Sequence, residues 1–196
     1  MKKILLYTVM TLMLSVPMAA HAFVIDFEGF SAGDVVSGAG VFSDVEFSKG
    51  GLDIEIWGAA PGLPLTGNTA LTFPFDGPDA FRADFSLSGI NMVSIDIGDW
   101  DADWDNIWLE AYSSDGSLLD SDAGYLPMDL YGGLTLSVSA FDISYVLWGS
   151  VSGGTFDNTN SVAFDNFTYT SAVPEVTSVF LLGLGLLGLG AYRRNA

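Results

Sequence analysis

Val93-Ser94-Ile95-Asp96-Ile97 places a β-branched aliphatic side chain at every second position and a polar one between. A period of two fits a pleated strand with one face buried and the other in water, and it does not fit a helix. Leu134, Leu136 and Val138 repeat the pattern against Thr135, Ser137 and Ser139. Ile54 and Ile56 repeat it against Asp53 and Glu55. Seven further stretches, 23–28, 41–47, 69–73, 81–88, 106–113, 143–149 and 161–170, read as strands. Turn residues separate them, at Lys49-Gly50-Gly51, Asp76-Gly77-Pro78, Asp115-Gly116, Tyr131-Gly132-Gly133 and Gly153-Gly154.

About ten short strands with no amphipathic helix predict an all-β protein, an antiparallel β-sandwich. A jelly roll is the topology that best accommodates this strand number in one domain. Residues 23–172 form that domain, long enough to bury a core of its own. Asp-Trp-Asp at 99–101 and 103–105, and Phe-Asp-Asn at 156–158 and 164–166, are too short to be repeat units.

The two ends read differently. Lys2 and Lys3 precede the apolar run Ile4 to Val16, and Ala20-His21-Ala22 follows. That is the layout of a secretory signal peptide over residues 1–22, with the mature chain starting at Phe23. Residues 176–192 carry no charge and suffice for a short membrane-spanning helix, in which the glycines at 183, 185, 188 and 190 are tolerated. Arg193 and Arg194 follow at once, and the positive-inside rule keeps them cytoplasmic.

Val173-Pro174-Glu175, the apolar helix with Leu182-Gly183-Leu184-Gly185-Leu186-Leu187-Gly188, and Arg193-Arg194 together resemble the PEP-CTERM sorting signal of Gram-negative bacteria over residues 173–196. The resemblance implies an exosortase-type transpeptidase as partner. It also implies transient anchoring in the inner membrane, then release to the cell surface or an exopolysaccharide matrix. Val176 stands where that signal usually has a second proline.

Composition narrows the chemistry. All but one of the 24 acidic residues lie within 23–172, but only Lys49 and Arg82 of the six basic ones. Two bases against 23 acids leave that segment at about −21, which repels nucleic acid and anionic lipid and attracts cations. All five tryptophans lie there too, so the segment is expected to fold rather than stay disordered. The chain has no cysteine, and its one histidine, His21, belongs to the signal peptide. Serine or cysteine triads and an ordinary zinc site are thereby excluded from the mature chain.

Gly98 to Glu110, GDWDADWDNIWLE, concentrates acid and aromatic residues. Asp99, Asp101, Asp103 and Asp105 mimic an EF-hand count, but Trp104 occupies the position that needs glycine. What remains is a calcium-binding β-loop or a solvated acidic loop. Trp57, Trp100, Trp104, Trp108 and Trp148 are either core residues or a platform on which pyranose rings stack. The spacing of four among Trp100, Trp104 and Trp108 would group them on a helix, and a strand is expected to break that grouping. Trp100 and Trp104, sharing a loop, are the candidates for glycan contact, and Trp108 is expected to head a strand. No carboxylate pair stands out for glycoside hydrolysis.

The domain opens with FVIDFEGF and closes with VAFDNFTY. These termini are similar to those of calcium-stabilised jelly-roll carbohydrate-binding modules, in which first-strand and last-strand acids share a structural ion. The resemblance implies Glu28 and Asp165 as ligands of a structural Ca2+; the alternative is that both are exposed strand carboxylates. The expectation is a noncatalytic exported protein that binds exopolysaccharide or another glycan. The alternatives are a structural matrix protein cross-linked through divalent cations, and a polysaccharide-processing enzyme.

Overall fold

The computed structural model describes residues 20–58, 65, 67–72, 79–98, 104–127, 133–152, 162–172 and 183. The chain divides into a unit of Ala22–Ser171 and a unit of Met1–His21 with Ala172–Ala196. Nearly all of the second lies outside the described residues, including the predicted signal-peptide run, the 176–192 helix, the sorting residues Val173, Pro174 and Glu175, and Arg193 and Arg194. Among the described residues no helix is long and apolar enough to cross a membrane.

Eleven strands are described: β1 (Ala20–Ile25), β2 (Val45–Ser48), β3 (Ile54–Trp57), β4 (Thr69–Thr72), β5 (Phe81–Phe85), β6 (Ile90–Gly98), β7 (Asp105–Tyr112), β8 (Leu118–Leu126), β9 (Gly133–Ile143), β10 (Tyr145–Ser152) and β11 (Ala163–Ala172). They form two sheets. One runs β3-β4-β11-β6-β9, with β1 also on β11, and the other runs β2-β5-β10-β7-β8. The pairings with described registers are antiparallel, and together the sheets make a β-sandwich. After β4 each strand passes to the opposite sheet from its predecessor, except the hairpin β7–β8.

The alternation seen in sequence is the alternation of burial. Val93, Ile95 and Ile97 on β6 are fully buried, as are Ile107, Leu109 and Ala111 on β7. At the centre the two sheets interlock through aromatic rings. Trp148 of β10 stacks on Phe81 at 5.5 Å and 11° and meets Phe164 of β11 edge-on at 4.9 Å. Phe47 of β2 meets Phe167 at 5.0 Å and 90°. Stacked and edge-to-face pairs add to the burial term, so this cluster helps tie the sheets together.

One strand was absent from the sequence reading. β8 carries Asp120, Asp122 and Gly124 where an ordinary strand would carry inward apolar residues, so it shows no hydrophobic alternation. Its carboxylates have another job. Asp122 Oδ2 accepts the Ser137 amide at 2.8 Å, and Asp120 Oδ2 accepts the Ser139 amide at 2.7 Å. A Cβ at Gly124 would meet Leu134 Cδ1 at 2.9 Å, so a larger residue there would make the Leu134 side chain shift.

Candidate functional site

On the five-stranded sheet, inward residues such as Phe81, Ala83, Val146, Trp148, Leu109 and Ala111 belong to the core. Their neighbours in the chain therefore face outward: Arg82 and Asp84 on β5, Tyr145 and Leu147 on β10, and Trp108, Glu110 and Tyr112 on β7. The register sets Tyr145 opposite both Asp84 and Tyr112, and Leu147 opposite both Arg82 and Glu110.

These side chains form an ordered stack across three strands. The Arg82 guanidinium lies 3.7 Å over the Tyr145 ring, and Tyr145 lies parallel to Tyr112 at 4.9 Å and 6°. Arg82 Nε and Nη2 both donate to Asp84, at 2.6 and 2.5 Å. That hydrogen bonding holds the guanidinium pKa above its ordinary value. The Tyr112 hydroxyl donates to Glu110 Oε2 at 2.5 Å. This bond, with burial and the negative charge of Glu110, pushes the phenol up to about 12, so it stays a neutral donor.

Trp108 lies two residues toward the other end of β7 from Glu110. It faces Gly149 on one neighbouring strand and Ala123 on the other, neither of which carries a side chain beyond Cβ. Trp108 is half-buried. Trp104, just before β7, contacts Tyr125 of β8 at 6.0 Å, and Tyr125 is 53% exposed. Trp104, Trp108 and Tyr112 thus mark one face at four-residue intervals. Successive members are about 13 Å apart at the rise of a strand. A shallow cleft of about 250 Å³, lined by Phe42, Val45, Glu46, Asp84 and Phe85 among others, opens at the β2 side of the sheet.

Only part of this surface is legible in the sequence. Trp104 does sit on it, whereas Trp100 lies outside the described residues. Trp108 is mid-strand rather than at a strand head. The expectation that a strand scatters tryptophans spaced by four was an error of arithmetic, because four is a multiple of two and keeps them on one face. Trp148, by contrast, is core. The period of two puts Arg82 with Asp84 and Glu110 with Tyr112 on one side of their strands, but only cross-strand register joins those pairs to each other and to Tyr145.

The candidate metal residues divide similarly. Asp99, Asp101 and Asp103 lie outside the described residues. Asp105 does not belong to a loop; it opens β7 and is 2% exposed. Glu28 also departs from expectation, because β1 ends at Ile25 and Phe27 takes a left-handed backbone (φ 56°). That reversal puts Glu28 in a turn, where its Oε1 accepts the Asn68 amide at 2.9 Å.

Asp165 lies on β11 as expected, but it is buried rather than exposed. Its Oδ1 accepts the Asn166 amide at 2.7 Å. Burial, opposed by that bond and reinforced by the charges of Glu28, Asp96 and Asp26, pushes its carboxyl up to about 6. The fold therefore brings Glu28 within electrostatic reach of Asp165. Among the described residues no group of three or more His, Cys, Asp or Glu side chains is gathered closely enough to hold a metal.

No protein-family model matches the chain, and no curated protein matches it. Among solved structures, it is similar to a mutant family 29 carbohydrate-binding module, with 11% identity over 81% of this chain and 99% of that one, and a TM-score of 0.43. It is also similar to the family 11 carbohydrate-binding module of a cellulosomal cellulase from Clostridium thermocellum, with 15% identity over 81% and 99% and a TM-score of 0.34. An arabinose-bound α-L-arabinofuranosidase matches at 9% identity and a TM-score of 0.48 over 74% of this chain; the chain spans 25% of that enzyme's length. What those proteins bind or cleave is a property of those proteins.

Proposed function

We propose that this protein is a noncatalytic glycan-binding β-sandwich whose saccharide site is the outer face of the five-stranded sheet. The observation that carries the reading is the Arg82–Tyr145–Tyr112 stack, with Glu110 and Asp84 hydrogen-bonded to it and Trp108 further along the same face. Half-buried aromatic rings supply apolar area at low entropic cost. Carboxylates next to them accept hydrogen bonds from hydroxyls, and a sugar ring offers both an apolar face and hydroxyls. The crossing of strands from β4 to β11 supports the jelly-roll reading. A glycan array probed with the full chain tests the function. Binding that Trp108→Ala and Tyr145→Ala each weaken at least tenfold supports it, and binding indifferent to both places the site elsewhere.

A structural calcium ion held by Glu28 and Asp165 belongs to the same proposal. Two observations favour it: Asp165 is buried, and burial together with the negative charges of Glu28, Asp96 and Asp26 disfavours its ionised form, which a bound cation would relieve. Main-chain carbonyls and water would complete an oxygen shell of six to eight. The 99–105 acids are the second candidate.

Sorting by an exosortase-type transpeptidase, through the inner membrane to the cell surface or exopolysaccharide matrix, rests on the resemblance of residues 173–196. Deleting the enzyme while the mature protein keeps its size and location would end that part of the proposal. Cross-linking of copies through divalent cations is the alternative role, favoured by the charge of about −21 on 23–172. Calcium-dependent self-association without glycan binding would select it.

A further inference from the structure

We infer that the face built on Arg82, Tyr145 and Tyr112 selects hydroxyl-bearing saccharide chains that carry no acidic groups, and that the Arg82–Asp84 pair makes it reject uronate-containing ones. This rests on the reading of the face as a saccharide site. Recognition of a sugar carboxylate calls for a cation with donors to spare, ideally a guanidinium fork. Residues 23–172 contain only two cationic side chains, and both are committed. Lys49 is 1% exposed, its Nζ 3.3 Å from Thr72 Oγ1 and 4.1 Å over the Phe81 ring, so it cannot meet a polymer. Arg82 is on the face, but Nε and Nη2, one edge of its fork, are spent on Asp84 and one plane on Tyr145.

The rest of the face is built to accept hydrogen bonds. Asp84, Glu110 and the outward Glu46 of β2 present carboxylates. Glu46 sits opposite Asp84 in the register, so two acids lie side by side there. Sugar hydroxyls can donate to these groups in charge-assisted bonds. A uronate would instead bring like charge against them, at separations too short for salt to screen well. Asp84 therefore has two effects: it accepts from hydroxyls and it withholds Arg82 from anions.

The test is affinity measurement on the full chain, with chelator present to prevent calcium bridging. The probes are a glycan array spanning neutral, amino and uronic sugars, with soluble alginate and polygalacturonate as anionic polymers. Binding to at least one neutral glycan and to neither polyuronate is expected. The variant Asp84→Asn with Glu110→Gln, checked for an unchanged melting temperature, should gain measurable binding to polygalacturonate at low salt. Adding Arg82→Gln should remove that gain. Wild-type affinity for a polyuronate under chelation overturns the selectivity while leaving the saccharide site standing. Failure of the double variant to gain polyuronate binding overturns the role of the Arg82–Asp84 pair. No binding to any array glycan sinks the underlying reading, and the selectivity with it.

Discussion

Asp122, on the last strand of one sheet, accepts the backbone amide of Ser137, on the last strand of the other, at 2.8 Å. Asp120 does the same for Ser139 two residues away. A side chain thus does what a neighbouring strand would do. It satisfies the open amides of β9 and stitches the two sheets along one seam. An unpaired sheet edge is a template for another chain, and negatively charged caps blunt it. Asp122→Ala should cost about 1 kcal/mol in urea denaturation, the net size of an ordinary intramolecular hydrogen bond. It should also raise concentration-dependent self-association by light scattering. A variant as stable and as monomeric as the wild type would show that the seam holds without its carboxylates.

The tryptophans should separate by role. Trp148→Ala removes a fully buried ring and should cost ~3–5 kcal/mol. Trp104→Ala and Trp108→Ala, on half-buried positions, should lower stability far less while weakening glycan binding. Equal losses of stability at Trp108 and Trp148 would return Trp108 to the core.

Asp165 should impose a pH dependence. Its folded carboxyl is pushed up to about 6 from an ordinary 3.8, first by burial. The native state then holds a proton that the unfolded state has released, so without metal stability falls as pH rises between those values and levels off above them. Asp165→Asn in chelator should therefore melt higher than wild type at pH 7.5, with the gap closing near pH 4. A gap that does not change with pH would contradict the assignment.

Calcium should reverse the sign of that comparison. An ion that binds only the folded state adds about 2.7 kcal/mol when it is present at a hundredfold excess over its dissociation constant. Differential scanning calorimetry should show the wild type melting several degrees higher with calcium than with chelator. Glu28→Gln and Asp165→Asn should show little of that rise. A full rise in both variants moves the ion to the 99–105 acids, and no rise in the wild type removes it.

How much of this was legible depended on whether a signal was local. Strands such as β6 and β9 announced themselves because burial of one face imposes Val93, Ile95, Ile97 and Leu134, Leu136, Val138 at every second residue. β8 did not, since its inward positions serve hydrogen bonding and close approach, which leave Asp120, Asp122 and Gly124 instead of an apolar stripe. Asp165 was correctly placed on a terminal strand, but the turn made by Phe27 took Glu28 out of the first one. The outer-face stack was invisible for a deeper reason. Arg82, Tyr112 and Tyr145 come from three separate strands, and only register makes them neighbours.

The order in which strands enter the sheets has a kinetic consequence. β10 is the middle strand of its sheet, and β11 lies between β4 and β6 in the other, yet both are made last. Until they are available β5 has no partner joining it to β7, and β4 none joining it to β6. Neither sheet can close on a truncated chain, and the aromatic cluster lacks Trp148, Phe164 and Phe167. Such non-local pairing makes folding slow, on the millisecond-to-second scale. A chain emerging in order from its N-terminus therefore stays open and threadable through most of its length, and locks only when its final strands arrive.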